Sequence, residues 1–254
     1  MYEVTPIPAF RDNYIWMLHH NGHAVVVDPG DAAPVLKALE EKRLLLDAIL
    51  ITHHHDDHTG GVDALRDACD AEVYAPAAGR YRFPHLPVAE AGVILLPGIG
   101  ARMTVMETPG HTLDHVVYFD AGHLFCGDTL FSCGCGRLFE GSCVQLYQSL
   151  QKLAALPADT AVYCTHEYTR HNIAFALMAD PDNPALQRRL QEVTAILESG
   201  RPSLPSTLAL ELETNPFLRC GNPQIRQFAS NAGTPATAPE SEVFCTLRRL
   251  RNSF

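Results

Sequence analysis

The strongest constraint on the fold of this chain is the segment at residues 52–61, THHHDDHTGG, which directly follows an apolar run. Successive side chains of an extended segment point to opposite sides, so His53, His55 and Asp57 can share one side. His58 joins them if the backbone turns there, which the two following glycines would permit. We therefore expect this segment to be an extended loop that directs four ligand-type side chains inward.

The donor chemistry of this segment indicates a metal site. Neutral imidazole and carboxylate groups suit zinc, iron or manganese, and the absence of cysteine argues against a closed structural zinc site. A chance histidine run or a purification tag is the alternative. A tag would lie at a terminus and would not carry Asp56 and Asp57, so we favour the metal site.

Composition narrows the class of protein. The chain has 254 residues and a formal net charge of −10, which argues against a general nucleic-acid binder. No apolar run approaches the ~20 residues of a membrane span, and the N-terminus lacks a signal-peptide pattern. The eight cysteines contain no CxxC pair, and we expect buried thiols. These features predict a cytoplasmic protein with neither a nucleic-acid nor a membrane partner, and we expect a monomer.

The first two-thirds of the chain alternate short β-branched runs with helical patterns, which predicts an α/β sandwich. The predicted strands cover residues 14–18, 24–27, 48–51, 72–75, 103–107, 116–119, 123–126 and 162–164, and the predicted helices cover about 32–42, 61–69 and 144–155.

The residues after about 167 indicate a small helical region. Helices are predicted near 168–179 and within 223–230. Another begins at Pro184 with Asn183 as its N-cap, and Gly200 ends it. The C-terminal tail is basic, in contrast to the acidic chain as a whole.

Three further ligand-type residues, His111, Asp128 and His166, each follow a predicted strand. Loops at strand ends form the binding crevice of open α/β sheets, so we expect these loops and the 52–61 segment to converge. One such residue alone would be an ordinary polar residue, but four loops with the same pattern favour a shared site.

Seven candidate ligands exceed the three that a mononuclear catalytic zinc uses. They suit two ions, the first bound by His53, His55 and His111 and the second by Asp57, His58 and His166, with Asp128 as the bridge. Two ions roughly 3.5–4 Å apart can share a hydroxide and polarise a substrate oxygen. The set predicts a hydrolytic centre in which Asp57 and Asp128 are the catalytic carboxylates.

The order of these motifs resembles that of the metallo-β-lactamase superfamily, whose fold is a four-layered αββα sandwich. Within it, the chain is similar to the glyoxalase II (hydroxyacylglutathione hydrolase) family. The similarity extends beyond the metal motif to GCGRLFEG at 134–141, THEYT at 165–169, TNPFLR at 214–219 and the basic, Phe-ending tail. It covers essentially the whole chain.

This resemblance implies a catalytic domain at 1–166 and a smaller helical substrate-binding domain at 167–254. It implies hydrolysis of S-lactoylglutathione to glutathione and D-lactate, the second step of methylglyoxal detoxification, by a hydroxide activated by two divalent ions, with zinc favoured and iron or manganese possible. Glutathione would contact Arg137, Tyr168, Arg248 and Arg251. Phe139 stands where the family often has Tyr, and Arg137 and Arg251 stand where Lys is common.

Asp28 is expected to orient a metal-bound histidine through its other ring nitrogen. His54 and Asp56 are expected to point away from the metals. The alternatives are another hydrolase of this fold acting on lactams or RNA, a glutathione-persulfide dioxygenase with one iron, and a metal-storage or redox-sensing module that uses the cysteines. The complete second-metal set argues against the dioxygenase.

Overall fold

The protein is described here by a computed structural model of residues 2–254, which divides into two compact units. Unit 1 comprises the chain up to Glu107 together with Leu113–Gly127. Unit 2 comprises Thr108–Thr112 and Asp128–Phe254. Each unit carries part of the predicted ligand set.

Unit 1 contains ten strands and three helices. In chain order they are β1 (Glu3–Ala9), β2 (Asn13–His20), β3 (His23–Val27), α1 (Ala32–Lys42), β4 (Leu45–Leu50), α2 (Asp56–Thr59), α3 (Val62–Cys69), β5 (Glu72–Pro76), β6 (Leu86–Val88), β7 (Val93–Leu96), β8 (Ala101–Glu107), β9 (Val116–Asp120) and β10 (His123–Gly127).

The first sheet of unit 1 runs in sequence order from β1 to β6. The first three strands are antiparallel, and β3 to β6 are parallel. The parallel pairs β3–β4 and β4–β5 are connected through α1 and α3, whose buried Val35, Leu39 and Leu65 join the core with Val26 and Ile49. The 52–61 segment leaves the carboxyl end of β4, where such sheets place their sites.

The remaining strands of unit 1, β7 to β10, pair antiparallel in succession. The hydroxyl of Tyr118 on β9 donates a hydrogen bond of 2.7 Å to the carbonyl of Ile51. Tyr118 is fully buried. This bond ties the second set of strands to the point where the ligand segment begins.

Unit 2 is mainly helical. Its elements are β11 (Leu130–Phe131), β12 (Gly134–Cys135), α4 (Cys143–Ala154), β13 (Ala161–Cys164), α5 (Thr169–Ala179), α6 (Pro184–Glu198), β14 (Ser206–Thr207), α7 (Leu208–Thr214), a 3-10 turn (Pro216–Leu218), α8 (Pro223–Asn231) and α9 (Glu240–Asn252). As predicted, α6 begins at Pro184, with the Asn183 side chain accepting from two backbone amides.

A buried polar group supports the β11–β12 hairpin. The Asn215 amide donates to the carbonyls of Phe131 and Gly134, at 3.1 and 2.9 Å. The Glu211 carboxylate accepts from the Cys133 amide at 2.7 Å and from Asn215 at 3.0 Å. Burial raises the pKa of Glu211, and these donors oppose that shift. The hairpin that follows Asp128 is therefore held by α7.

Every predicted strand and helix is present, with ends that differ by up to three residues. The structure adds β1, whose Pro6 and Pro8 weaken the strand pattern, and the short strands β6, β7, β11, β12 and β14. It also adds α2, α7 and α9. Within residues 2–254, the helices are too short or too polar to cross a membrane.

The expectation that all eight cysteines are thiols is wrong for two of them. Cys143 and Cys245 form a disulfide that links α4 to α9. They are 102 residues apart and share no short spacing motif. The other six form no disulfide, and five of these are buried.

Candidate metal centre and substrate cavity

The ligand segment of unit 1 is extended only in its first half. Residues up to His55 are non-helical, and α2 begins at Asp56 with His55 as its N-cap. The extended conformation expected through Asp57 is therefore wrong, because Asp57 lies on a helical turn, whereas the turn of the backbone at His58 is present. Asp56 and Asp57 stand in the first turn of that helix, where carboxylates are favoured.

The glycines near this turn serve close packing. A Cβ atom at Gly30 would lie 2.0 Å from the backbone oxygen of Asp57, and one at Gly60 would lie 2.7 Å from that of Gly30. Neither Gly60 nor Gly61 has a positive φ. The two backbones can approach only because side chains are absent.

Unit 1 presents its four ligand-type residues as two pairs. His53 Nε2 lies 3.0 Å from His55 Nδ1. Asp57 Oδ2 lies 3.7 Å from His58 Nε2. His53 and His58 are fully buried. Each pair thus brings two donor atoms within the span of a single ion.

Asp28 orients both buried histidines. Its Oδ2 accepts from His58 Nδ1 at 2.9 Å and from the Thr52 hydroxyl at 2.7 Å, and its Oδ1 accepts from the Thr52 amide. Because the Thr52 hydroxyl proton is directed to Asp28, its oxygen accepts from His53 Nδ1 at 3.0 Å. Both imidazoles therefore carry their proton on Nδ1 and keep a lone pair on Nε2.

The neighbours of the ligand pairs are also fixed. The side-chain amide of Asn13 donates to Asp57 Oδ2 at 3.1 Å. His54 Nδ1 lies 2.9 Å from Asp114, whose other oxygen accepts from Tyr81 at 2.8 Å. His54 is therefore engaged by a separate carboxylate.

In unit 2, Asp128 lies between two histidines. Its Oδ2 is 3.5 Å from His111 Nε2 and 3.5 Å from His166 Nε2. All three residues are buried. Equal distances from one carboxylate to two imidazoles are the arrangement expected of a carboxylate that serves two ions.

Backbone contacts hold two of these three residues, His111 and Asp128. His111 Nδ1 donates to the Arg137 carbonyl at 2.7 Å, which leaves its Nε2 as the ligand atom. A Cβ atom at Gly136 would lie 1.9 Å from the backbone oxygen of Asp128, so only glycine fits this approach. Gly136 belongs to the GCGRLFEG motif, which thus positions a ligand as well as Arg137.

A cavity of about 340 Å³ lies within unit 2. It is lined by His111, Asp128, Phe131, Cys135, Arg137, Phe139, Tyr168, Asn172, Arg248, Arg251 and Asn252. Three guanidinium groups lie at one cavity that also contains two candidate metal ligands. The cavity therefore suits an anionic molecule that reaches the metal side.

The three arginines are not equivalent. Arg248 is only 6% exposed, and its Nη1 donates to the carbonyls of Cys135 and Gly136 at 2.8 and 3.2 Å. Arg251 is half-buried and donates to Asn172 at 3.2 Å. Its burial, and to a smaller extent the positive charge of Arg248, lowers the pKa of Arg251. Arg137 is exposed. Arg248 thus holds the wall, while Arg251 and Arg137 keep more donors for a ligand.

Aromatic rings flank the ligands of unit 2. The Tyr168 ring stacks on His166 at 4.8 Å between centroids, with an interplanar angle of 2°. Phe139 meets His111 edge-on at 5.2 Å and has Arg137 at 5.6 Å from its ring centre. Phe139 is 61% exposed. These rings give the cavity apolar walls beside charged ends.

Sequence reasoning missed Asn13, Asn172 and Asn252 as neighbours of the candidate site. The position of Asn252 one turn after Arg248 on a helix was a readable signal. For Asn172 the only signal in the sequence was its position one helical turn after Tyr168. Asn13 lies 44 residues from Asp57, so no local pattern indicated it.

Comparisons with known proteins identify the family. Residues 9–166 match the model of the metallo-beta-lactamase superfamily, and residues 167–254 match that of the hydroxyacylglutathione hydrolase C-terminus. Proteins named hydroxyacylglutathione hydrolase from Methylobacillus flagellatus and Photobacterium profundum are 54% and 51% identical to the chain. Each alignment covers 100% of both sequences.

Solved structures share the fold. ETHE1 from Myxococcus xanthus is 24% identical with a TM-score of 0.66, over 100% of this chain and 99% of that one. TTHA1623 in a di-iron-bound form is 26% identical with a TM-score of 0.62, over 84% of this chain and 100% of that one. The predicted metallo-β-lactamase α/β fold with a helical C-terminal region is confirmed.

Proposed function

The chain belongs to the hydroxyacylglutathione hydrolase family of the metallo-β-lactamase superfamily, and from this membership we propose how its own residues act on S-lactoylglutathione. The products are glutathione and D-lactate, as in the second step of methylglyoxal detoxification. The full-length relationship at 54% identity is the observation that carries the reaction class. The position of Asp128 between His111 and His166 is the structural observation that supports the two-ion centre.

We propose that the ligand pairs of unit 1 and the histidines of unit 2 combine on two divalent ions, most simply zinc, with iron and manganese also suited to these donors. His53 and His55 would share the first ion with His111. Asp57 and His58 would share the second with His166, and Asp128 would bridge. When bound, the ions supply a water of lowered pKa and polarise the thioester carbonyl.

The protein's own part in this chemistry is orientation. Asp28 keeps the protons of His53 and His58 on Nδ1, directly or through Thr52, so that each Nε2 stays available. The Arg137 carbonyl does the same for His111. Because a thiolate is a good leaving group, no side chain is required as a strong general acid. Asp57 and Asp128 are the proposed catalytic carboxylates.

Glutathione recognition is proposed for the cavity of unit 2. The substrate carries two carboxylates, and an arginine fork binds a carboxylate bidentately. Arg137 and Arg251 are the proposed direct contacts, with the Tyr168 hydroxyl as a further donor. Arg248 would act at the cavity wall, because its Nη1 already donates to the carbonyls of residues 135 and 136 and its Nη2 donates to Asn252. Phe139 would cover the substrate with its exposed ring.

We also propose a catalytic domain at 1–166 and a substrate-binding domain at 167–254, supported by the boundary between the two family models. A monomer is proposed as well. Glutathione as substrate supports a cytoplasmic setting.

The test is the loss of thioester absorbance with S-lactoylglutathione, measured beside a lactoyl thioester of N-acetylcysteamine. The second compound keeps the thioester and lacks both glutathione carboxylates. We expect a kcat/KM at least about a hundredfold higher for S-lactoylglutathione, because one to two charge-assisted contacts contribute a factor of about this size. Equal values would contradict glutathione recognition, and no hydrolysis of either would contradict the reaction class.

Oxygen uptake with glutathione persulfide and hydrolysis of a lactam serve as controls for the two alternatives. We expect no oxygen uptake, because Asp57, His58 and His166 complete the donor set for a second ion, which a one-iron dioxygenase does not use. We expect no lactam hydrolysis, because the helical C-terminal region with its basic tail and Tyr168 suits glutathione.

A further inference from the structure

The disulfide between Cys143 and Cys245 is a feature of unit 2 that the proposed hydrolysis does not use. It joins the first residue of α4 to the second turn of α9. Both cysteines are half-buried, whereas five of the six cysteines outside the disulfide are buried. A small thiol in solution therefore reaches this bridge more readily than it reaches most of the other sulfurs.

The bridge acts on the helix that forms one wall of the cavity. Arg248 and Arg251 lie about one and two turns beyond Cys245 on α9, and both line the cavity. The disulfide therefore limits how far this helix can move relative to α4.

Other contacts would keep α9 in place without the bridge. The ring of Tyr147 on α4 lies 5.7 Å from that of Phe244 on α9, and its hydroxyl donates to Glu240 at 3.3 Å. Phe244 also packs on Phe217 at 5.6 Å between ring centroids. Opening the disulfide would loosen the helix without releasing it.

We propose that Cys143–Cys245 is a thiol-exchange site. Glutathione opens the bridge there and so weakens the binding of the glutathione-containing substrate in the cavity. The inference rests on the proposed function, because it takes the product of that reaction as the reductant. Accumulating glutathione would then raise the KM for the substrate, and glutathione disulfide would lower it again by the reverse exchange, which re-forms the bridge and returns two molecules of glutathione.

The chemistry balances with two molecules of glutathione. The first thiolate attacks Sγ of Cys245, the S–S bond breaks, and its electron pair leaves on Sγ of Cys143. The second thiolate attacks the sulfur of the bound glutathione, releasing Cys245 as a thiolate and forming glutathione disulfide. Both cysteine thiolates then take up protons from water.

The two cysteines differ as leaving groups. Cys143 is the first residue of the 12-residue helix α4, whose N-terminus stabilises a thiolate. Cys245 follows Glu242 by three residues on one helix face, and the carboxylate disfavours a thiolate there. A better leaving group leaves faster, so the mixed disulfide should form on Cys245.

The experiment treats the full-length protein with glutathione, removes the glutathione by desalting, and measures thiols and kinetics on the same sample. We expect six thiols per denatured chain before treatment and eight after it. The KM for S-lactoylglutathione should rise about three- to tenfold, the effect of re-ordering one or two side chains on binding. The kcat should change by less than about twofold, since uniform binding is lost.

Two variants and a second reductant sharpen this test. Cys143→Ser should show the raised KM without treatment and no further response, and Cys69→Ser, at a free half-buried cysteine, should behave as the parent. A phosphine reductant should reproduce the rise in KM. Alkylation during the reaction should label the thiol released on Cys143 and should leave Cys245 with its glutathionyl group.

Eight thiols in the untreated chain, six after treatment, or a KM that does not respond would each overturn the proposal. Thiol counts and the trapped peptide do not depend on turnover. If the protein does not hydrolyse S-lactoylglutathione, the proposed function is contradicted, and the thiol counts and the trapped peptide still test the exchange.

Discussion

The ligand segment of unit 1 and the cavity of unit 2 are built in opposite ways. The unit 1 segment draws four ligand-type side chains from six consecutive positions and holds its buried histidines through Asp28. The cavity of unit 2 draws its lining from residues 111–252 and ends in exposed or half-exposed groups such as Arg137, Phe139 and Arg251.

This difference separates metal binding from substrate binding. Buried imidazoles with fixed protons suit metals, which need deprotonated donors in set positions. Half-exposed arginines and rings suit a flexible anionic peptide that must enter and leave. Substitutions in the first region should change metal content and kcat, and those in the second should change KM.

The largest effect is expected at Asp128, which lines the cavity of unit 2 and lies between two candidate metal ligands. Asp128→Asn keeps the shape but removes the charge that lies 3.5 Å from His111 and from His166. We expect turnover to fall by orders of magnitude and bound metal to fall below two ions per chain, measured by kinetics and elemental analysis. Two ions with near-normal turnover would disprove the bridging role.

The next effect is expected at Asp28. Asp28→Asn exchanges one acceptor oxygen for an NH2 group and disturbs the protons on His53 and His58, so metal affinity should fall roughly 10–100-fold. Metal retention during titration with a chelator measures this. Asp47→Asn is the control, because Asp47 pairs with His23 at the same 2.9 Å outside the ligand set. Equal losses in both variants would show a general stability effect.

Arg251→Ala should raise KM about tenfold with little change in kcat, since a charge-assisted contact is worth roughly 1.5–3 kcal/mol and this residue is half-buried. Arg249→Ala is the control on the same helix, because Arg249 is exposed and lies outside the cavity lining. A similar KM for both variants would point to general electrostatics.

Arg248→Ala should behave differently from Arg251→Ala. Its guanidinium is buried against the carbonyls of Cys135 and Gly136, so its removal leaves buried acceptors unpaired. We expect a lower Tm by thermal unfolding together with the higher KM. An unchanged Tm would show that Arg248 is only a ligand contact.

The smallest effect is expected at Phe139. Phe139→Tyr adds one hydroxyl at an exposed ring beside the cavity, and a neutral hydrogen bond contributes about 0.5–1.5 kcal/mol. KM should fall roughly two- to tenfold while kcat hardly changes. Phe139→Leu removes the edge contact with His111 and should not lower KM. An unchanged or higher KM for the tyrosine variant would mean that Phe139 only packs.

The sequence predicted most of the regular structure, because periodicity, the Asn183 cap and strand-end positions are local signals. It did not predict α2, because a helix of four residues is too short to show helical periodicity. The role of Arg248 was partly hidden for a different reason. Its basic side chain indicated a ligand contact, but its buried carbonyl partners lie more than 110 residues away.

The central claim is most directly tested by measuring metal content and KM on the same preparations of Asp28→Asn and Arg251→Ala. The account predicts two ions per chain in the parent and in Arg251→Ala, with the KM raised only in the arginine variant. It predicts that Asp28→Asn loses metal under chelation while its metal-replete form keeps the parental KM. If either variant changed both quantities together, metal binding and glutathione binding would not be separate properties of these two regions.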